Sequence, residues 1–359
     1  MKPTQQLHDL GQSLWLDNIT REILSDGTLR RYIRDFSITG LTSNPTIFDQ
    51  AVKNGNAYDA DIRRKTSEGK SGEALFLELA LDDLTQAADL FRPVHDGTDG
   101  VDGWASLEVS PLLAYDAERS TKEARRLHDL ARRPNLFIKI PGTPAGLVAI
   151  EESIFNGVPI NVTLLFSRDQ YVAAAEAYMR GIERRLAGGL DPKVHSVASI
   201  FVSRWDKAVA DKAPPAMRNR VGIAIAKKAY RSYCDLQSAP RWQALVRAGA
   251  RTQRLLWAST GTKDPAAPDT LYIEALAAPD TINTMPDKTL LAFAEHGQVK
   301  GALPRDGGDA EHVIAELARS GIDEATIAGE LQRDGAAAFK QSWKDLLACI
   351  AAKSSALTR

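Results

Sequence analysis

Leu136-Phe137-Ile138-Lys139-Ile140, just ahead of Pro141, is an apolar run broken by one lysine, and Ile160-Asn161-Val162-Thr163-Leu164-Leu165-Phe166 is a second, broken by an asparagine and a threonine. Both have the length and near-continuous apolar character of strands buried on two faces. The amphipathic stretch Thr121–Arg133 precedes the first and Gln170–Leu186 follows the second. The same alternation covers most of the chain. Further strands are expected at Leu14–Asp17, Ile38–Thr42, Trp104–Val109, Ser196–Val202, Leu255–Ser259 and Leu271–Ala275, and a further helix at Asn219–Leu236. Alternation of this kind reads as βαβ units around a parallel sheet. Eight strands fit an α/β fold of the (β/α)8 TIM barrel type. An open doubly wound sheet is the runner-up, which periodicity alone does not exclude.

At 359 residues the chain is longer than the usual barrel. The surplus falls in a leading N-terminal helix and in Asp309–Lys353, which reads as wholly helical. The expectation is one barrel domain over 1–359, with 309–359 a helical C-terminal extension packed over its outside. The segment His95–Gly103, rich in Gly and Asp, reads as a loop feeding a strand. Its Asp96, Asp99 and Asp102 lack the spacing of an EF-hand, so a solvated turn is the better reading.

With 44% hydrophobic and 25% charged residues the chain has enough apolar material for a large core. Its 45 basic and 46 acidic residues leave a net charge of −1, too little to hold nucleic acid or an anionic membrane, although a local cationic pocket for a small phosphate remains open. Cys234 and Cys349 form no CxxC pair, which suits ordinary thiols in a reducing compartment. Met1–Leu16 carries Gln, His and Asp where a signal peptide needs an apolar run, and a cytoplasmic location is expected.

The informative pattern is interruption. Strands buried on both faces should be apolar, yet nearly every one carries polar residues near its C-terminal end: Asp17, Thr42 and Asn44, Glu108, Lys139, Asn161 and Thr163, Ser199, and Ser259. In a barrel these ends converge on the face that holds the chemistry. Burying an unpaired polar group is costly, so several strands doing it together argue for a shared site. Desolvation of Lys139 favours the neutral amine that a nucleophile requires; the structural alternative is an ion pair with Glu108 or Asp17. Glu108 suits proton relay during imine formation, or simple pairing with the lysine. Asp17 suits the base for carbon–carbon cleavage, or a helix cap ahead of Asn18–Leu24. Asn44, just before Pro45, also suits a turn. Arg204 and Lys263 follow late strands, where cations bind phosphate, although Arg204 has Asp206 close by as a surface partner.

Competing motifs fail on spacing. Gly69-Lys70-Ser71 lacks the upstream glycine of a phosphate loop, position 64 being Arg64. The six histidines never stand at i,i+3 or i,i+4, and no GxGxxG opens a helix after a strand.

Five segments in order then resemble the transaldolase family: Leu41-Thr42-Ser43-Asn44-Pro45-Thr46, Ser106-Leu107-Glu108-Val109-Ser110, Phe137–Thr143, Ile160–Ser167 and Ala198–Arg204. The resemblance implies a class I aldolase-type barrel with no metal and no organic cofactor. Its partners are sugar phosphates: a dihydroxyacetone unit passes from fructose 6-phosphate or sedoheptulose 7-phosphate to an aldose phosphate (erythrose 4-phosphate or glyceraldehyde 3-phosphate) in the pentose phosphate pathway. By motif, Lys139 forms the imine, Asp17 is the base, and Glu108 with Thr163 holds the water used in imine formation and release. Asn44, Asn161 and Ser199 hold the three-carbon unit, and Arg204 with Ser259 holds phosphate. Thr42, Phe201 and Lys263 complete the expected binding set. Shorter family members place an arginine at the position of Gly261, so Lys263 is a candidate for the missing cation. A homodimer is one compatible assembly.

Two alternatives stand beside this reading. Fructose 6-phosphate aldolases share fold and lysine chemistry but carry glutamine and tyrosine where this chain has Glu108 and Phe201, which favours transfer. A non-catalytic sugar-phosphate-binding barrel would keep the cations and lose the nucleophile or base, against the joint presence of Lys139, Asp17 and Glu108.

Overall fold

The computed structural model describes residues 1–357. Eight parallel strands run in the chain order β1 (Ser13–Leu16), β2 (Ile38–Leu41), β3 (Ala105–Glu108), β4 (Leu136–Pro141), β5 (Ile160–Leu165), β6 (Ser196–Phe201), β7 (Gln253–Ala258) and β8 (Ile282–Met285). They pair in the spatial order β2-β1-β8-β7-β6-β5-β4-β3. The two outer strands then meet through a parallel bridge between Gly40 and Trp104, where the Leu41 N–H donates to the Trp104 carbonyl at 2.9 Å. A Cβ at Gly40 would lie 2.6 Å from the Trp15 ring and 2.8 Å from the Trp104 carbonyl, so this seam requires bare backbone. The result is the (β/α)8 barrel, with extra helices.

One expected strand is corrected. Leu271–Ala275 forms a short helix, and the eighth strand is Ile282–Met285. A short apolar run of this kind is ambiguous between helix and strand, while the real strand was disguised by Asn283 and Thr284. The expected helices appear as Ala117–Ala131, Arg168–Ala187 and Val221–Ser238. His95–Gly103 is only partly loop, because the helix Gly72–Gly97 continues past Pro93 before the chain turns. The aspartates there are tied up in ion pairs, Asp99 with Lys193 and Arg251 and Asp102 with Arg254.

Side-chain alternation explains how one strand serves both core and site. Trp15, Phe137, Val197 and Ile282 belong to the apolar cluster inside the barrel, with the Trp104 and Phe137 rings stacked at 4.0 Å. Two positions further along the same inward faces come Asp17, Lys139, Ser199 and Thr284. The barrel is therefore plugged by rings and aliphatics toward its N-terminal end and polar at the other.

The C-terminal extension divides. Ala310–Arg319 packs against Val221–Ser238 in the outer layer. After a break at Gly321 (φ 80°) comes a helix of 34 residues, Glu324–Leu357. It does not stay outside. Gln332 Nε2 donates to the carbonyls of Gly142 and Leu164, both at 3.0 Å, just beyond β4 and within β5. Further on, Ser342 Oγ meets Thr46 Oγ1 at 2.9 Å, and the helix packs along Pro45–Asn54. The helix thus spans the C-terminal mouth of the barrel. An amphipathic pattern shows that a helix face is buried without showing against what, which is why the crossing was not foreseen.

Candidate active site

The C-terminal mouth holds a cavity of about 380 Å³. Of the residues expected from sequence, Asp17, Thr42, Asn44, Lys139, Thr163, Ser199, Phe201, Arg204, Ser259 and Lys263 line it. Glu108 and Asn161 sit immediately beside Lys139, across the ladder pairs Glu108↔Lys139 and Lys139↔Asn161.

Lys139 is 5% exposed. Its Nζ donates to the Ser43 carbonyl at 3.0 Å and faces Glu108 Oε2 at 3.4 Å. Burial pushes the Glu108 carboxyl above the usual glutamate range; Lys139 pulls it back, Asp17 pushes it further up and Arg204 opposes that. The other Glu108 oxygen, Oε1, and the Thr163 hydroxyl are both buried without a hydrogen-bond partner among the described residues. Buried polar atoms of this kind need a partner, and these two belong to strands on either side of the one that carries Lys139.

Asp17 lies across the mouth. Thr42 Oγ1 donates to its Oδ1 at 2.7 Å and is itself 2.7 Å from the Thr284 hydroxyl. Burial raises the Asp17 carboxyl, against the Thr42 hydrogen bond and the charges of Lys139 and Lys263, which lower it, while Asp287 adds to the rise. Asp17 does not cap a helix: the next one, Arg21–Ser25, is capped by Thr20. Asn44 does cap one. Its side-chain oxygen accepts from the Ile47 N–H at 3.1 Å, with Pro45 in the first turn, which leaves the amide NH2 for the cavity. Asn161 is held on both sides, accepting from the Ser199 hydroxyl at 2.7 Å and donating to Ser106 Oγ at 3.2 Å.

The far end of the cavity is cationic. Arg204 forms no ion pair among the described residues. The suggested partner Asp206 instead accepts from Val221 N–H, Gly222 N–H and the Tyr272 hydroxyl. The Arg204 guanidinium lies between the Phe201 and Phe339 rings, 5.2 and 5.8 Å from their centroids. Ser259, with a left-handed φ of 56°, turns its hydroxyl to within 2.9 Å of Ser203 Oγ. Lys263 is exposed at the rim. A Cβ at Gly261 would make only ordinary contacts at 3.5 Å or more, so nothing steric demands glycine there.

Sequence reasoning missed Thr284, Phe339 and Ser106. Thr284 carries the same signal as the others, a polar residue at the end of a strand, and was lost with the misplaced eighth strand. Phe339 left no signal, because a phenylalanine in an amphipathic helix reads as core.

A buried lysine beside a glutamate, facing an aspartate across the mouth of a (β/α)8 barrel, defines the class I aldolase type of enzyme. Comparison with known proteins agrees: the family model described as Transaldolase/Fructose-6-phosphate aldolase matches residues 14–350. The chain belongs to that family. It is 44% identical to the transaldolase of Thermobifida fusca over 99% of both chains. Identity is 45% to that of a Parafrankia species over 97% of each. It is 42% to that of Thiobacillus denitrificans over 98% of this chain and all of the relative.

Proposed function

We propose that the chain is a transaldolase that moves a dihydroxyacetone unit from fructose 6-phosphate or sedoheptulose 7-phosphate to an aldose phosphate. The observation that carries the mechanism is the placement of Lys139 between Glu108 and the mouth, with Asp17 opposite. The Lys139 amine adds to the donor carbonyl, and Glu108 relays protons through a water shared with Thr163 as the carbinolamine loses water. Burial raises the Glu108 carboxyl, which suits a group that must give a proton as well as take one.

Asp17 then takes the proton of the C4 hydroxyl as the C3–C4 bond breaks. The electron pair passes into the imine, giving an enamine on Lys139, and the aldose phosphate departs. Asn44, Asn161 and Ser199 hold the retained three-carbon fragment, with Thr42 steadying Asp17. Arg204, Ser259 and the rim cation Lys263 hold the phosphate of donor and acceptor in turn. The second aldose phosphate is attacked by the enamine, and hydrolysis of the imine frees Lys139. Phe201 offers no hydroxyl with which to protonate and release the fragment early, which favours transfer over free aldol cleavage.

Incubation with fructose 6-phosphate followed by borohydride reduction should place a stable adduct on the peptide containing Lys139. Absence of that adduct would sink the reading. Release of dihydroxyacetone without added acceptor, at the rate of transfer, would make the chain an aldolase instead.

A further inference from the structure

We propose that the mouth-spanning helix Glu324–Leu357 is the device that aims Arg204 at the substrate phosphate, with Gly335 and Phe339 as positioning residues. The inference rests on the phosphate-binding role of Arg204 given above. Arginine has a long flexible side chain, and here no hydrogen bond or ion pair among the described residues fixes its head, Glu108 acting on it only through its charge at longer range. Its position comes from packing. On one side is Phe201 at the end of β6, and on the other Phe339 of the final helix.

The helix reaches Arg204 because of what is absent at Gly335. A Cβ there would lie 3.4 Å from Arg204 Nη1, 3.6 Å from the Phe166 ring and 3.0 Å from Leu164 Cδ2. Only the Leu164 contact is tight, and a side chain larger than alanine at this point would have to hold the helix off the strand ends or displace the guanidinium. Glycine is otherwise unfavourable inside a helix, by about 1 kcal/mol relative to alanine. Gln332, Gly335 and Phe339 lie on one face of the helix, at i, i+3 and i+7. Gln332 anchors that face to Gly142 and to Leu164, whose φ of 58° marks the register shift in β5 between Val162 and Leu165. The anchor, the gap and the ring therefore fix the helix height over the mouth, and with it the angle of the guanidinium.

A guanidinium held this way keeps all its N–H donors for an anion, since aromatic faces consume none. An ion-pair partner would have fixed the head equally well and weakened its use.

The test compares fructose 6-phosphate with fructose as donor, using glyceraldehyde as a common unphosphorylated acceptor. In Gly335→Leu and Phe339→Leu the ratio of kcat/KM for the two donors should fall roughly tenfold, mainly through KM for the phosphorylated one. Phe339→Tyr keeps the ring and should restore the ratio to within about twofold of the parent. Adding Phe339→Leu to Arg204→Ala should cost nothing further in that ratio, because the ring acts through the arginine. An equal loss on both donors, or a further loss on top of Arg204→Ala, would overturn the inference. If Arg204→Ala itself leaves the ratio unchanged, the phosphate reading of Arg204 fails. If Arg204→Ala lowers the ratio while neither helix variant does, the positioning inference alone fails.

Discussion

Replacing Lys139 by methionine removes the amine while keeping an unbranched side chain of similar length, so the barrel interior stays filled. What changes is the charge balance beneath it. Glu108 loses its ion-pair partner at 3.4 Å, and its Oε1 already lacks a protein partner. An uncompensated buried carboxylate costs about 3–5 kcal/mol, whereas a protonated one forfeits only a hydrogen bond, about 1 kcal/mol. The penalty therefore depends on pH. Burial already holds the folded-state Glu108 pKa above 4.5, and removing Lys139 takes away the main influence that lowers it. A carboxyl raised in the folded state binds its proton more tightly there than in the unfolded chain. Stability is thus greatest below the unfolded pKa and declines as pH rises through the folded one, by at most about 1.4 kcal/mol per pH unit for a single proton.

Lys139→Met should accordingly fold, lose turnover and borohydride trapping, and be less stable at about pH 8 than at about pH 5 by roughly 2–4 kcal/mol beyond any change in the parent. Denaturant unfolding at the two pH values, with peptide mapping of the reduced adduct, measures all three. Two results would refute the reasoning: a variant whose stability follows the parent at both pH values, or one that still forms the adduct at another lysine with turnover intact.

Arg204→Ala should raise KM for phosphorylated donors by about 1–3 kcal/mol of lost charge-assisted binding while altering kcat far less; an unchanged KM removes Arg204 from the site. Asp17→Asn should lower turnover by about 10²–10⁴ yet still allow imine formation, so the reduced adduct on Lys139 should carry the whole six-carbon donor; a three-carbon adduct in parent-like yield would exclude Asp17 as the base. Phe201→Tyr places a hydroxyl beside Arg204 and should increase dihydroxyacetone release without acceptor, measured by a coupled dehydrogenase assay; a release rate equal to the parent's would show that the residue at 201 does not hold the fragment back.

Most of the lining of the candidate cavity was legible because a barrel writes it as polar residues at the ends of apolar strands. Asp17, Lys139 and Ser199 each follow an inward apolar residue by two positions, and that spacing is visible without coordinates. Thr284 follows Ile282 in the same way, but Leu271-Tyr272-Ile273 looked more strand-like than the true strand and displaced it. The double duty of Asn44, as helix cap and cavity wall, was readable only as a choice between the two. The route of the final helix was not readable. Its apolar face fits many surfaces equally well, and the details that select one, such as the Gln332 amide meeting two strand-end carbonyls, are matters of distance between segments far apart in sequence.

That route has a consequence for the order in which the protein becomes an enzyme. A ribosome delivers Asp17, Glu108 and Lys139 early, and domains begin to fold from the N-terminal side. The barrel can close only once Ile282–Met285 has emerged to pair with Ser13–Leu16, and the helix that carries Gln332, Gly335 and Phe339 comes later still. Lys139 is thus made well before the helix proposed to aim Arg204. If the helix aims Arg204 as proposed, a chain clipped before Gln332 that still folds would lose its preference for phosphorylated donors over unphosphorylated ones. On that proposal, preference for phosphorylated substrates would follow the chemistry in the order of synthesis, acquired only after the barrel that carries the amine has closed.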